Sequence, residues 1–292
     1  MTDTRDLFLT KTRLYWSLIK SPQTFLLVLT GLAGFMSSRC PWLNFSTAMA
    51  VTGTLFLSIS GGTIINMWYD RDIDARMKRT CWRPLPAGKI SPREALILGL
   101  VLSFTGVIWA LTLDYLYGLI ICGGLFFNVL IYTIWLKRRT PWSIIWGGIA
   151  GGMPVLAGRA LGTGEVEWVG IMMSLAILFW IPTHILTFSI RYQDEYKQAG
   201  IPTIPTRYGV KVTHRIISVS SMLAALTLAL AAVGINLEAG KMRLLAVLSA
   251  GLLLLAGASM VKPSDRLNFG LFKYASFYML FAMILIALVF YY

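Results

Sequence analysis

The sequence carries little charge for its length. Only 13% of its 292 residues are charged and 57% are hydrophobic, whereas soluble domains carry about 25% charged residues. Charge-free runs of about twenty residues recur along the chain, and this is the length at which an α-helix crosses a bilayer. A soluble helical domain is excluded, because a core of this size could not cover so much apolar surface. The sequence therefore predicts an all-α integral membrane protein.

Cysteine and histidine are also rare. The three cysteines, Cys40, Cys81 and Cys122, show no CxxC or metal-ligand spacing, which indicates packing residues and no thiolate metal site. Of the two histidines, His184 lies inside a predicted span, where a polar side chain faces the bundle interior by default. We expect it to line a pocket as a ligand or proton acceptor, with a packing hydrogen bond as the alternative. His214 is expected to be structural.

Nine transmembrane helices are predicted, and apart from Arg159 near one helix end they are poor in charge. They lie at roughly 21–38, 45–66, 95–113, 115–135, 143–161, 166–189, 213–234, 242–261 and 271–291. With the N-terminus inside, all but four of the 26 Lys and Arg residues fall on the inner side, as the positive-inside rule requires. The net charge of +13 thus indicates the orientation of the chain, with the inner loops on the cytoplasmic side, and argues against nucleic-acid binding. We expect the membrane to be the cell (plasma) membrane. Residues 1–292 are predicted to form a single domain.

Carboxylates begin the inner loop that follows the second predicted helix. Asn66, Asp70 and Asp74 are spaced i, i+4 and i+8, so they share one face of a helix. Oxygen ligands at this spacing suit Mg²⁺, which is typically held by one or two carboxylates together with a substrate phosphate. Asp72 points to the other side and is predicted to form a salt bridge. The alternative is a solvated juxtamembrane helix whose carboxylates pair with neighbouring Arg and Lys.

A second acidic patch follows the sixth predicted helix on the same side. Asp194 and Glu195 begin this loop, and two acidic helix ends can hold two metal ions around one diphosphate. Basic residues lie beside both patches, as expected if the ligand is itself an anion. These are Lys20, Arg79, Arg83, Lys89, Lys137, Arg138 and Arg139.

Two stretches carry a family resemblance. The stretch "NMWYDRDIDARMKRTCWRPLPAGKISPREAL" resembles the NxxxDxxxD motif of the UbiA superfamily of intramembrane prenyltransferases, and "RYQDEYKQAGIP" resembles its second acidic motif. Within the superfamily the chain is most similar to protoheme IX farnesyltransferases (haem O synthases), through "YTIWLKRRTPWSIIWGGIAGGMPVLAG" and "WIPTHILTFSIRYQDEYKQAGIPTIP". Thr183 and Arg159 depart from that family's pattern near the presumed acceptor site. Quinone-type and archaeal lipid-type members therefore remain alternatives for the acceptor.

The resemblance implies Mg²⁺-dependent transfer of a polyprenyl group from prenyl diphosphate to a lipophilic acceptor, most like haem b, within the lipid of the membrane. The catalytic residues implied are Asp70, Asp74 and Asp194. The implied metal ligands are Asn66, Asp70, Asp74, Asp194 and Glu195. Diphosphate contacts are implied for Asn66, Arg83, Lys137, Arg138 and Lys20, and pocket positions for Tyr132, Asn128 and His184.

Two other classes of membrane protein are compatible with many helices. A transporter fits the helix number, but its binding site is expected near the bilayer midplane, whereas the carboxylates here cluster at one face. CDP-alcohol phosphotransferases also combine membrane aspartates with Mg²⁺, but they require a DGxxAR stretch that this sequence lacks. The transporter therefore remains the alternative from another class.

Overall fold

The computed structural model describes residues 4–38 and 45–288, with side chains from residue 11 onward. In this part of the chain every regular element is helical, which confirms the predicted fold class. The α-helices are α1 (Thr4–Leu18), α2 (Ser21–Met36), α3 (Phe45–Tyr69), α4 (Arg71–Arg76), α5 (Pro92–Leu113), α6 (Tyr115–Leu125), α7 (Ser143–Thr163), α8 (Trp168–Arg191), α9 (Gln193–Gln198), α10 (Ile204–Tyr208), α11 (Val210–Gly234), α12 (Ala239–Val261) and α13 (Asp265–Ala287). A π-helix, Phe126–Leu136, continues α6.

Eight helices in the described residues are long and apolar enough to cross a membrane, and the number rises to nine if one bent pair counts as a span. That pair joins Lys11–Leu18 to Ser21–Met36 at an angle of 53°. The predicted span 21–38 corresponds to α2, which has only 16 residues. The predicted span 271–291 corresponds to α13, which begins earlier, and residues 289–291 lie outside the described part. The inside orientation of the N-terminus stays a prediction.

Small residues let the spans approach closely. A Cβ atom added to Gly158 of α7 would overlap the carbonyl oxygen of Gly31 in α2, so this contact requires glycine. Helix α3 packs along α5 in the same way, with Gly61 facing Ser103. Helices in membranes commonly associate by close backbone approach at small residues, because burial of apolar side chains contributes little to association in an apolar lipid environment. These contacts fix the frame that carries the two inner loops.

Both inner loops are anchored by apolar side chains. Leu85 and Ile90 of the first inner loop (residues 70–91) are buried against Leu18, Ile64 and Met67. The loop ends at a capping box in which Ser91 and Glu94 bond each other's backbone amides, a motif that starts α5 firmly. The second inner loop (residues 192–209) contributes Ala199 and Ile201 to a cluster with Ile73 and Met77 of the first. The two acidic patches therefore belong to one packed surface.

Candidate active site

Asp70 and Asp74 lie at a break between two helices. Helix α3 ends at Tyr69 and α4 begins at Arg71, with Asp70 at the junction. Backbone bonds nevertheless bridge the break, from Asp70 N to Asn66 O at 3.0 Å and from Asp74 N to Asp70 O at 2.8 Å. The i, i+4 spacing read from the sequence is therefore preserved, and both carboxylates are buried.

Each of these two carboxylates is paired with a cation from elsewhere in the chain. Lys137 Nζ donates to Asp70 Oδ2, and Arg83 Nη1 donates to Asp74 Oδ2 at 2.8 Å. Asp70 Oδ1 is buried without a hydrogen-bond partner. An unpartnered oxygen on a buried carboxylate is costly, so this atom marks a place where a cation or a donor would be stabilised.

Asp72 faces the other side of α4, as the sequence predicted. Arg138 binds both of its oxygens, Nη1 to Oδ2 at 2.9 Å and Nη2 to Oδ1 at 2.7 Å. The hydrogen bond from Arg138 holds the pKa of the Asp72 carboxyl below its usual value. Arg138 Nη2 also donates to the carbonyl oxygen of Tyr69 at 2.7 Å. Arg138 therefore fastens the end of α3, and both of its terminal nitrogens are engaged.

The π-helix supplies two of the predicted pocket residues, Asn128 and Tyr132, and its π-helical geometry was not foreseen from the sequence. It carries Asn128, Tyr132 and Thr133, and Lys137 follows directly, its amide donating to Tyr132 O at 2.9 Å. The Lys137 ammonium lies 5.6 Å from the centre of the Tyr132 ring. Burial opposes the charged form of Lys137, but Tyr132 and Asp70 outweigh it and raise its pKa. Such π-helical turns are rare and often occur at functional sites.

Asn66 is held by a short chain of hydrogen bonds. Its amide nitrogen donates to Thr133 Oγ1 at 2.9 Å, and Thr133 donates to the carbonyl of Asn128 at 2.7 Å. With the nitrogen used in this way, the amide oxygen of Asn66 is the atom that can face a cation. Thr133 was missed at the sequence level, since nothing local distinguishes a hydroxyl in an apolar helix.

Lys20 joins the same cluster from the break between α1 and α2. Its backbone is left-handed, with φ 50° and ψ 55°, a conformation that is uncommon outside glycine and recurs at functional sites. Burial, followed by the positive charges of Arg83 and Lys137, lowers the pKa of Lys20 to about 8. Asp74 and Asp70 act in the opposite direction. Three cations and two carboxylates thus share one partly buried region.

Arg79 connects the two acidic loops. Its backbone nitrogen donates to Glu195 Oε2 at 3.3 Å, and its side chain donates to the Tyr196 hydroxyl at 3.2 Å. Its guanidinium also lies 4.9 Å from the centre of the Tyr192 ring. Arg79 was noted in the sequence only as one of several basic residues. The structure gives it the specific task of holding the second acidic loop against the first.

The structure does not gather all the predicted metal ligands into one cluster. Within residues 4–38 and 45–288, no group of three or more His, Cys, Asp or Glu side chains is placed to hold a metal ion. Asp194 is exposed on α9, and Glu195 is engaged with Arg79. The ligand roles of Asp194 and Glu195 therefore stay predictions.

His184 lies in a row of aromatic rings on α8. It stacks on Trp180, one turn away, at 5.1 Å between ring centres, and approaches Phe188 at 5.8 Å. Phe272 of α13 contacts it at 5.0 Å. His184 Nδ1 is buried without a hydrogen-bond partner. The predicted pocket position is thus an aromatic surface with one unpaired ring nitrogen.

Comparison with known protein families identifies the chain. The profile of the UbiA prenyltransferase family matches residues 27–277. The chain is 42% identical over 213 residues to the protoheme IX farnesyltransferase of Pyrobaculum arsenaticum, covering 72% of this chain and 76% of that protein. It is 40% identical to the protein of the same name from Ehrlichia ruminantium strain Gardel, covering 72% and 71%.

Solved structures agree on the fold. A digeranylgeranylglyceryl phosphate synthase superposes with a TM-score of 0.78 at 19% identity, covering 95% of this chain and 98% of that one. A UbiA homologue from Archaeoglobus fulgidus, solved with GPP and Mg²⁺, gives a TM-score of 0.68 at 18% identity and covers 94% and 100%. The predicted membership and enzyme class are confirmed: this multi-span membrane protein belongs to the UbiA prenyltransferase family.

Proposed function

We propose that the chain transfers a prenyl group, with Mg²⁺, from an allylic prenyl diphosphate to haem b. The observation that carries the donor half is the pair of neighbouring ion pairs, Asp70 with Lys137 and Asp74 with Arg83, in which the carboxylates are buried and the cations partly buried. Fixed charges of both signs suit a metal-bound diphosphate, since the metal needs carboxylates and the phosphate oxygens need cations.

The donor set fits Mg²⁺ even without a closed cage of protein ligands. Mg²⁺ usually keeps several waters and takes one or two carboxylates plus substrate phosphates. The unpartnered Oδ1 of Asp70 and the amide oxygen of Asn66 are available to it. When bound, the ion would stabilise the negative charge that develops on the leaving diphosphate. Asp74 is a further proposed ligand of Mg²⁺. Asp194 and Glu195 complete the proposed ligand set when the diphosphate is bound.

The chain's own cations bind and neutralise the diphosphate. Arg83 and Lys137 are already aimed at the site, and Lys20 lies near both. They stabilise the diphosphate as the allylic C–O bond breaks, and being preorganised they need no rearrangement. Arg138, predicted as a phosphate contact, is better assigned to positioning, because Asp72 and Tyr69 occupy its terminal nitrogens.

The allylic cation then needs a site that favours it without reacting. The face of Tyr132 lies next to the ammonium of Lys137, and an aromatic face attracts cations through its quadrupole. Asn128 lies near Gly62 of α3 at the same level of the π-helix. Apolar walls exclude water, which would otherwise capture the cation. The prenyl chain lies among the spans, open to membrane lipid.

The aromatic row on α8 favours a flat acceptor. Trp180, His184 and Phe188 offer successive rings, and His184 adds an unpaired nitrogen that can bind iron. Two cations, Arg191 and Lys273, lie 5.9 Å and 4.9 Å from the ring centre of Phe269 in α13, which connects to Phe188 of the row through Phe272. A macrocycle with two carboxylates matches this surface better than a small hydroxybenzoate or a glycerol phosphate does. The names of the relatives point to the same acceptor.

We further propose one domain over residues 1–292, placed in the plasma membrane with both acidic loops on the cytoplasmic side. The excess of Lys and Arg on the side of Asp70 supports this orientation. Partners are then prenyl diphosphate, the acceptor and membrane lipid, and no nucleic acid. Labelling of single exposed cysteines in intact cells, starting from Cys81 in the first inner loop, tests the sidedness directly.

The transfer reaction is tested with purified protein, Mg²⁺ and farnesyl diphosphate against haem b, 4-hydroxybenzoate and an archaeal glycerol-phosphate lipid acceptor. Asp70→Asn should abolish product from every acceptor, whereas the matched control Asp72→Asn should retain most of it. Haem binding is followed separately through the Soret band, which His184→Ala should alter and Asp70→Asn should leave unchanged. Product from another acceptor only, with no Soret shift, would refute the haem assignment and keep the prenyl chemistry. Equal activity of wild type and Asp70→Asn would refute the donor site.

A further inference from the structure

A second polar site lies between α11 and α12, on the same side of the bundle as the two inner loops. It is a cavity of about 230 Å³, several times the roughly 30 Å³ that one water molecule occupies in the liquid. Its lining includes Lys211, His214 and Arg215 of α11 and Ser259, Met260 and Val261 of α12. None of the candidate active-site residues lines this cavity.

Two residues that line this α11–α12 cavity carry buried polar atoms without hydrogen-bond partners. Ser259 is fully buried and His214 is 3% exposed, yet Ser259 Oγ and His214 Nδ1 have no hydrogen-bond partner. Buried polar atoms are nearly always paired, and each exception requires an explanation. The explanation cannot be the ion pair with Asp265, because its Oδ1 lies 3.9 Å from the other ring nitrogen, Nε2, and its side chain is exposed.

Charge gives the cavity a preference for anions. Lys211 and Arg215 line it at the first turns of α11, where the helix N-terminus adds a partial positive charge. The carboxylate of Asp265, which faces His214 from α13, opposes this preference. Two basic side chains and two buried hydrogen-bonding atoms match the oxygens of a phosphate group.

The rim of the cavity is apolar. Met260 and Val261, in the last turn of α12, are strongly exposed, at the level where a membrane helix leaves the hydrocarbon. An inorganic phosphate ion has no apolar group that could pack against this rim, whereas a phospholipid would place its acyl chains there. Basic pockets between spans at this depth bind anionic headgroups.

From this geometry we propose that the α11–α12 cavity binds the phosphate headgroup of an anionic phospholipid from the leaflet facing the inner loops. Lys211 and Arg215 contact the phosphate oxygens, and Ser259 and His214 complete their hydrogen bonds to the headgroup. The acyl chains run along Met260 and Val261. The site is separate from prenyl transfer and does not rest on it.

The test uses the full-length protein in detergent, titrated with phosphatidylglycerol or phosphatidylcholine of the same acyl chains and read by native mass spectrometry. Neither prenyl diphosphate nor acceptor is present. Phosphatidylglycerol should be retained in preference to phosphatidylcholine. Lys211→Gln combined with Arg215→Gln should weaken its binding by roughly tenfold or more, given several-fold per basic residue near an anionic headgroup. Ser259→Ala, a mild change that keeps the fold, should weaken it by several-fold.

The matched control is Lys262→Gln combined with Arg266→Gln, which removes two exposed charges at the same end of α12 and α13 without altering the lining. It should bind phosphatidylglycerol nearly as wild type does. Competition by inorganic phosphate at millimolar concentration would support recognition of the phosphate group. Saturable binding of phosphate without preference for phosphatidylglycerol would assign the same chemistry to the free ion. Unchanged binding in the cavity variants, or an equal loss in the control, would overturn the proposal.

Discussion

The ion pair between Lys137 and Asp70 provides the sharpest test of the site's energetics. The side chain of Asp70 is 5% exposed and the side chain of Lys137 is 22% exposed. Asp70 Oδ2 has Lys137 as its partner, and Oδ1 has none. Removing the lysine therefore leaves a buried carboxylate with no partner at all. Removing the aspartate leaves a lysine whose side chain is still partly exposed.

The expected costs follow from this asymmetry. Breaking a fully buried pair by removing one partner costs about 3–5 kcal/mol. For Lys137→Met we expect about 2–4 kcal/mol, discounted because the lysine is partly exposed and its site can admit water. For Asp70→Asn we expect about 1–2 kcal/mol, because the stranded ammonium is better hydrated. The double variant should cost less than the sum of the two, with a coupling energy of about 1–3 kcal/mol.

The measurement is a double-mutant cycle on unfolding free energies. Wild type, the two single variants and the double variant are titrated with SDS in mixed micelles and followed by circular dichroism. The matched control is the cycle on Asp72 and Arg138, whose side chains are 48% and 32% exposed and should couple by less than about 1 kcal/mol. Additive effects at Asp70 and Lys137, or equal coupling in the two cycles, would contradict the burial argument.

Three further predictions rest on single features. Since the pKa of Lys20 is lowered to about 8, the side chain loses its charge as pH rises through 8, so affinity for farnesyl diphosphate should fall between pH 7 and 9. Calorimetry should show proton uptake near pH 8, and Lys20→Arg should flatten the profile; an unchanged slope in that variant would contradict the assignment. Ile201→Ala, in the cluster joining the two inner loops, should raise amide exchange in residues 192–209 and lower kcat, whereas exchange as slow as in wild type would show that the cluster does not hold the loop. Gly158→Ala should destabilise the chain strongly through its clash with α2, while Gly257→Ala, with open space around it, should be neutral or slightly stabilising; thermal melts that cannot tell the two apart would refute the packing argument.

Local patterns determined the fold class and the location of the two acidic patches. Hydrophobic runs determine the spans because a helix in lipid must form all of its backbone hydrogen bonds within itself. The length and composition of each span can therefore be read directly from the sequence. The spacing of Asp70 and Asp74 placed both on one face, and the backbone bonds across the helix break keep it so. The same periodicity predicted that the side chain of Asp72 points away from the face shared by Asp70 and Asp74.

Partners distant in sequence were decided only by the tertiary structure. Basic residues near both patches were evident, but the pairing of Lys137 with Asp70 and of Arg138 with Asp72 spans more than sixty residues and depends on how α3 meets the π-helix. The π-helical register has no signature in residue type. The docking of the second loop through Arg79 and the cavity between α11 and α12 likewise arise from contacts between elements. Sequence periodicity fixes which face a side chain occupies, whereas packing alone fixes what that face meets.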